Sequence, residues 1–324
     1  MMDDILISTR SLTKQYAAPG GFFRKRLSER KAVDDVDLDI IRGEVLGVVG
    51  ESGCGKSTLG RMLVRLLPST SGSIIYNGTD ITNGIVTEEF RRRAQIVFQD
   101  PYGSLNPWMT VYKLVAEPIK IHALCPKNEM ENHVTSLIEK VGLSQESLDR
   151  YPHQLSGGQR QRLSIARALS VFPEFLLCDE PVSSLDVSVQ SQILNLLIDL
   201  QRDMGLTYLF ISHSLAVIRN IADRVAVMYL GRIVEISLAD DFFISPAHPY
   251  SRALLDAAPI PEPGSSRRRK TTVSGEASLV CAPVTGCAYY PRCPRRAGIC
   301  AQTKPGLKEL GGGRSAACHF TEKC

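Results

Sequence analysis

Nine consecutive residues carry the most specific chemistry in the chain: Gly50, Glu51, Ser52, Gly53, Cys54, Gly55, Lys56, Ser57 and Thr58. They fit the pattern G-x-x-x-x-G-K-[ST], placed after a short apolar run and before a helical one. Glycines let successive backbone N–H groups turn inward and surround phosphate oxygens. A helix N-terminus adds unpaired N–H donors and partial positive charge. The Lys56 ammonium can reach the outer phosphates, and the Ser57 hydroxyl can ligate Mg2+. A glycine-rich turn that only caps a helix would need neither Lys56 nor the Ser57-Thr58 pair in this register. The second candidate is Asp179-Glu180, which ends the apolar run Phe175-Leu-Leu-Cys178. Paired carboxylates at a strand's carboxyl end suit a bound metal (Asp179, through water) and an activated water (Glu180).

These residues need a scaffold, and the hydrophobic pattern supplies one. Short apolar runs at 45–49, 96–98, 175–178 and 208–211 read as buried strands. Segments 56–67 and 189–200 read as amphipathic helices, the first with Leu59, Leu63, Leu66 and Leu67 at helical spacing and the second with Ile193, Leu194, Leu197 and Leu200. Runs 225–229 and 232–236 flank Leu230-Gly231 as a hairpin. The alternation predicts an α/β core with a largely parallel sheet, interrupted by a helical insertion at about 101–169.

The chain has 324 residues, 44% of them apolar and 22% charged, a soluble globular balance. No stretch approaches the roughly 18 uninterrupted apolar residues of a spanning helix. The start, MMDDILIST, lacks a secretory signal's basic and apolar regions, so a reducing compartment is expected. Residues 264–324 hold 11 Lys/Arg against 3 Asp/Glu, a charge of +8, which leaves −4 for the rest of a chain of net +4. A basic tail of this kind is a solvated, charge-rich segment or a surface for anionic lipid or nucleic acid.

Six of the nine cysteines (Cys281, Cys287, Cys293, Cys300, Cys318, Cys324) crowd that tail. In a reducing compartment such a cluster points to metal before disulfides. Cys287, Cys293, Cys300 and Cys318 are the candidate thiolate set, with Arg292 and Arg295 near enough in sequence to offset its charge. Their spacing is not the C-x₂-C of a zinc ribbon, although four thiolates also suit tetrahedral zinc. Pro, Ser and basic residues at 259–280 read as a linker.

The sequence Leu155-Ser156-Gly157-Gly158-Gln159 matches the signature motif of ABC-transporter ATPases. With the phosphate loop, Gln99, Asp179-Glu180, Ser183-Ser-Leu-Asp186 and Ser212-His213 in order, nearly the whole chain resembles that family. The resemblance implies a P-loop NTPase fold of the ABC ATPase class, with an inserted helical subdomain and a small Cys-rich C-terminal extension. It also implies a head-to-tail dimer in which each ATP is held between the P-loop of one subunit and Ser156, Gly157, Gly158 and Gln159 of the other. It implies that Gln99 senses Mg2+ and the attacking water, that Asp186 organises the dimer interface, that His213 contacts the γ-phosphate and that Tyr16 stacks on adenine.

Further motifs look like the oligopeptide/dipeptide importer branch: Phe98-Gln-Asp-Pro-Tyr-Gly-Ser-Leu-Asn-Pro107, Asp179 through Gln190, Val227-Met-Tyr-Leu-Gly231 and His248-Pro-Tyr250. An insertion at 20–30 resembles that of its F-type ATPase subunit. His213-Ser214 replaces the branch's usual His-Asp, and Ser184 its usual Ala, without touching the catalytic positions. The branch implies two transmembrane permeases, a second ATPase subunit, a substrate-binding protein and a cytoplasmic-face location at the cell membrane. Some members carry a 4Fe–4S cluster in this tail, which ranks iron–sulfur ahead of zinc. The expected layout is a nucleotide-binding domain at 1–258, a linker at 259–280 and the Cys-rich extension at 281–324. A soluble ABC ATPase acting on ribosomes or nucleic acid is the competing class. It is disfavoured because the chain has one P-loop, one signature motif and no sustained heptads, so no nucleic-acid partner is expected. Nickel or another small solute is the alternative cargo.

Overall fold

The computed structural model describes residues 4–16, 30–84, 86–258 and 285–321. Most of the 20–30 insertion, the 259–280 linker, Cys281 and Cys324 lie outside the described residues. The chain forms two compact units, each assembled from separated stretches.

One unit comprises Met1–Asp4, Ile41–Val45 and Asn83–Ser212. Its centre is three parallel strands, Ala94–Val97, Phe175–Asp179 and Thr207–Ile211, with Phe175–Asp179 in the middle. The last two are buried along their whole length. That is why their sequences are continuously apolar rather than alternating. Helix Val187–Met204 buries Ile193, Leu194, Leu197 and Leu200, the face its periodicity foretold, and stops at Gly205. Between the first two strands the chain is mainly helical, with helices Val111–Ile121, Met130–Lys140 and Gly157–Leu169 packed on one another. Val115, Ile119, Val134, Ile138, Leu163 and Ile165 are fully buried there. Each such side chain contributes about 1.5–3 kcal/mol of transfer free energy.

The other unit comprises Ile5–Ile40, Leu46–Thr82 and His213–Cys324. Strands Arg30–Ile41, Ile5–Tyr16, Ser71–Tyr76 and Thr79–Asp80 lie side by side in that order, the last three antiparallel. Strand–helix alternation did not anticipate this sheet, because its strands lie on either side of the phosphate loop in sequence and pair at long range. Strand Val45–Val49 pairs in parallel with Arg224–Tyr229, which turns back as the expected hairpin into Arg232–Leu238. The tail supplies another hairpin, Lys308–Gly311 and Arg314–Ala316, whose second strand pairs with Arg232–Leu238 through Glu235 and Ile236. The tail is therefore hydrogen-bonded into the sheet that carries the phosphate loop.

One helix is shorter than its periodicity suggests. Helix Lys56–Leu63 ends before Leu66, which is 53% exposed. Arg65 takes a left-handed φ of 57°, so the backbone leaves the helix and Leu66 and Leu67 fall off its apolar face. Among the described residues no helix is long and apolar enough to cross a membrane.

Candidate nucleotide site and cysteine cavity

The phosphate loop follows strand Val45–Val49 and opens helix Lys56–Leu63, as its sequence requires. Two glycines make the curl possible. Gly50 sits at φ 154° and Gly55 at φ 112°, and a Cβ on them would stand 2.2 Å from the Met228 carbonyl oxygen and 2.0 Å from that of Ala32. No L side chain fits such approaches. Lys56 is only 5% exposed, and its Nζ donates to the carbonyls of Gly50 (2.8 Å) and Glu51 (3.1 Å). The ammonium thus lies inside the curl, at the N-terminus of a helix, where an anion is favoured twice over. Ser52 and Gly53 are exposed, and Gly55, Ser57 and Thr58 half-buried. The Cys54 thiol is buried, which pushes its pKa up, so it is a packing group here.

Glu51 was not singled out from sequence, yet the structure holds it by both its backbone and its side chain. Tyr250 Oη accepts from its N–H at 2.9 Å. Its carboxylate takes a two-pronged ion pair from Arg292 of the tail, at 2.9 and 3.1 Å. Sequence proximity had assigned Arg292 to the thiols. The geometry corrects this: the guanidinium is committed to Glu51, while Arg295 lines the cysteine cavity. The pairing joins residues 241 positions apart, so no local pattern could have signalled it.

In the other unit Asp179 is 1% exposed at the end of its strand. Glu180 follows at a left-handed φ of 50°. That conformation is uncommon for a residue with a Cβ, and such strain concentrates at functional sites. It is held by the Glu180 N–H donating to the Ile211 carbonyl (3.0 Å) and by Ser183 donating to the Glu180 carbonyl. The Gln99 amide nitrogen donates to a Glu180 carboxylate oxygen at 3.1 Å. Two sequence candidates 81 positions apart thus meet. Ser156 caps helix Gly157–Leu169 in a full capping box: its Oγ accepts from the Gln159 N–H and its own N–H donates to Gln159 Oε1. Asp186 is exposed at the N-terminus of helix Val187–Met204.

His213 lies exposed two positions past strand Thr207–Ile211. Tyr16 ends strand Ile5–Tyr16 with 43% of its surface exposed and Lys14 Nζ 5.5 Å from its ring centroid. An aromatic left open at a strand end can take a flat ligand against its face.

In the tail, Cys287, Cys293, Cys300 and Cys318 line one small cavity of about 10 Å³, together with His248, Tyr289, Arg295 and His319. Burial first, and then the neighbouring Cys300, Cys293 and Cys318, push the Cys287 thiol up. Among the described residues no group of three or more His, Cys, Asp or Glu stands in the arrangement of a closed metal site.

Comparison with known proteins adds the following. Residues 33–183 match the ABC transporter family model, and residues 234–300 match the model for the oligopeptide/dipeptide transporter C-terminal region. The chain is 49% identical over 321 residues to a probable peptide ABC transporter ATP-binding protein, y4tS, of Sinorhizobium fredii, covering 98% of this chain and 90% of that one. It is 43% identical to the oligopeptide transport ATP-binding protein AppF of Bacillus subtilis, over 98% of both chains. Among solved structures it resembles the dimeric ATP-binding cassette MJ0796 bound to ADP and Pi, with a TM-score of 0.63 and 27% identity over 72% of this chain and 99% of that one. It also resembles cbiO1 of Clostridium perfringens, part of the cbiONQ transporter complex, with a TM-score of 0.63 and 27% identity over 75% and 92% of the two chains.

Proposed function

Since the chain belongs to the family of peptide ABC transporter ATP-binding proteins, with the P-loop ATPase fold of that family, we propose that it powers peptide uptake by ATP-driven pairing of nucleotide-binding domains. It is the ATP-binding, ATP-hydrolysing subunit of a peptide ABC importer, working with membrane permease and substrate-binding partners. The observation that carries the mechanism is the curl of the phosphate loop around the buried Lys56 ammonium.

In this reading the backbone N–H groups from Gly50 to Thr58 and the Lys56 ammonium hold the phosphates. Mg2+, when bound through Ser57, Gln99 and Asp179, supplies charge that stabilises the loose transition state of phosphoryl transfer. Glu180 takes the proton of the attacking water, and Gln99 keeps that carboxylate aimed. His213 donates to the γ-phosphate, and Tyr16 stacks on adenine. Ser156, Gly157, Gly158 and Gln159 close the site from the partner subunit, and Asp186 steadies the interface. Gln99 also links the site to the transmembrane partner. The preferred assembly is a heterodimer with a second ATPase subunit on the cytoplasmic face of the membrane.

What supports a metal centre in the tail is that four cysteines line one cavity. Cys287, Cys293, Cys300 and Cys318 would hold a 4Fe–4S cluster, or zinc in its place. Either would cross-link the tail, and the cluster would add a one-electron redox couple. Purification without oxygen, followed by iron, sulfide and zinc counts, tests this: about four irons per chain lost in Cys293→Ser supports the cluster, while stoichiometric zinc replaces it. Uptake of a labelled oligopeptide tests the transport reading. Cells lacking the chain should lose uptake, and Lys56→Ala should fail to restore it. Restoration by Lys56→Ala would reject the motor role.

A further inference from the structure

Arg292 belongs to the short turn Tyr290–Arg292, which sits in sequence between Cys287 and Cys293. The turn is tied to both cysteines: the Tyr290 N–H donates to the Cys287 carbonyl at 3.0 Å and the Cys293 N–H to the Tyr290 carbonyl at 3.3 Å. From there the guanidinium reaches Glu51 with both prongs. The two side chains are only 15% and 29% exposed. The guanidinium carbon stands 6.0 Å from the ring centroid of Tyr229 and 5.9 Å from that of Tyr289. Tyr229, Tyr250 and Tyr289 pack on one another with centroids 4.5 to 5.4 Å apart. Tyr289 also lines the cysteine cavity, and Tyr250 accepts from the Glu51 N–H. Glu51 and Gly50 in turn accept from Lys56. An unbroken series of direct contacts therefore runs from Cys293 through Arg292 and Glu51 to the phosphate-binding lysine.

We propose that Arg292 is a positioning residue for nucleotide binding, and that through it the four-cysteine cavity and the phosphate loop form one linked system. Two physical effects carry this. A bidentate Arg–carboxylate pair is geometrically demanding, so it holds Glu51 only while the 290–292 turn is in place. Glu51 also puts a negative charge within a loop built to receive anions. Arg292 neutralises that charge where partial burial weakens screening by solvent. Whatever holds the 290–292 turn in place therefore holds the loop through the Arg292–Glu51 pair. Because such linkage is reciprocal, nucleotide bound at the loop steadies the turn and the cysteines beside it in return. The inference rests on nucleotide binding at the loop.

The test uses the full chain. Equilibrium binding of a fluorescent Mg-ATP analogue is measured for wild type, Arg292→Lys, Arg292→Gln, Glu51→Gln and the double Glu51→Gln/Arg292→Gln. Hydrogen exchange of tail peptides spanning 286–300 is followed with and without the analogue. Arg292→Gln should weaken binding by about tenfold, the scale of one hydrogen-bonded charge left without its partner. Arg292→Lys should lose less. On the Glu51→Gln background Arg292→Gln should cost little, because no carboxylate remains to neutralise. A purely structural arginine would cost the same on both backgrounds. In wild type, bound nucleotide should slow exchange in 286–300, and Arg292→Gln should abolish that protection. Unchanged affinity in Arg292→Gln, equal losses on both backgrounds, or tail exchange indifferent to nucleotide in wild type would each overturn the proposal. Wild type that fails to bind the analogue at all would instead overturn the nucleotide-site reading on which it rests.

Discussion

The amide of Gln99 donates to the carboxylate of Glu180 across 3.1 Å, although the two residues stand 81 positions apart in the chain. The bond fixes the direction of a carboxylate whose own backbone is held in a left-handed conformation. Gln99 enters just past the end of strand Ala94–Val97 and Glu180 just past Phe175–Asp179, and the parallel pairing of those strands brings the two chain ends side by side.

If Glu180 is the general base, Glu180→Gln should keep Mg-ATP binding near the wild-type affinity and cut steady-state hydrolysis by roughly 10²–10³-fold. The check is turnover in the assembled transporter beside a nucleotide titration. Undiminished hydrolysis in that variant would remove Glu180 from the reaction.

The loop's shape depends on Gly55, whose φ of 112° and 2.0 Å approach to the Ala32 carbonyl leave no room for a methyl group. Gly55→Ala should cost about 3 kcal/mol or more, lowering Tm by roughly 5 °C or more, and should abolish nucleotide binding. Thermal unfolding and binding are measured on the same preparation. A variant that melts and binds like wild type would mean that the loop does not adopt this curl.

Ser156 has a local role that can be separated from its proposed one across the dimer. As a helix cap it contributes about 1 kcal/mol, which Ser156→Ala removes and Ser156→Asn retains. Its proposed contact with the partner's ATP is lost in both. We therefore expect Ser156→Asn to recover the melting temperature but not the hydrolysis rate. Recovery of both would confine Ser156 to capping.

Asp34 joins three cations of its own unit: Lys31 at 2.7 Å, Arg232 at 2.6 Å and Lys304 of the tail at 3.7 Å. Burial pushes its pKa up, but the hydrogen bonds and charges of Lys31 and Arg232 outweigh this, and the folded value lies below the ordinary 3.8. A depressed folded pKa means that the contribution is complete above about pH 3.8 and fades as pH falls through the folded value. Asp34→Asn should therefore lower stability by about 1–3 kcal/mol at neutral pH, and the gap should close on acidification below the ordinary carboxylate range. Unfolding curves for both proteins across that range give the answer. A gap that stays constant with pH would assign the loss to packing rather than charge.

What the sequence by itself determined is the chemistry that depends on adjacent residues. The phosphate loop, the Ser156 cap and the Asp179-Glu180 strand end are written locally. Backbone N–H groups, glycine torsions and a capping hydroxyl act within a few residues of one another. The apolar runs at 45–49, 175–178 and 208–211 are legible as strands because four or five apolar residues bounded by polar turn residues are too short for a buried helix. The tertiary structure alone decided what depends on distant partners. It formed the antiparallel sheet from strands on either side of the phosphate loop. It ended helix Lys56–Leu63 early and left Leu66 exposed. It hydrogen-bonded the tail hairpin to Arg232–Leu238 and turned Arg292 away from the cysteines beside it towards Glu51. Hydrophobic period and turn chemistry specify which face a segment buries, but not which distant strand or side chain it meets. Those pairings are fixed only when the whole chain has found room to bury its apolar surface and satisfy its charges together.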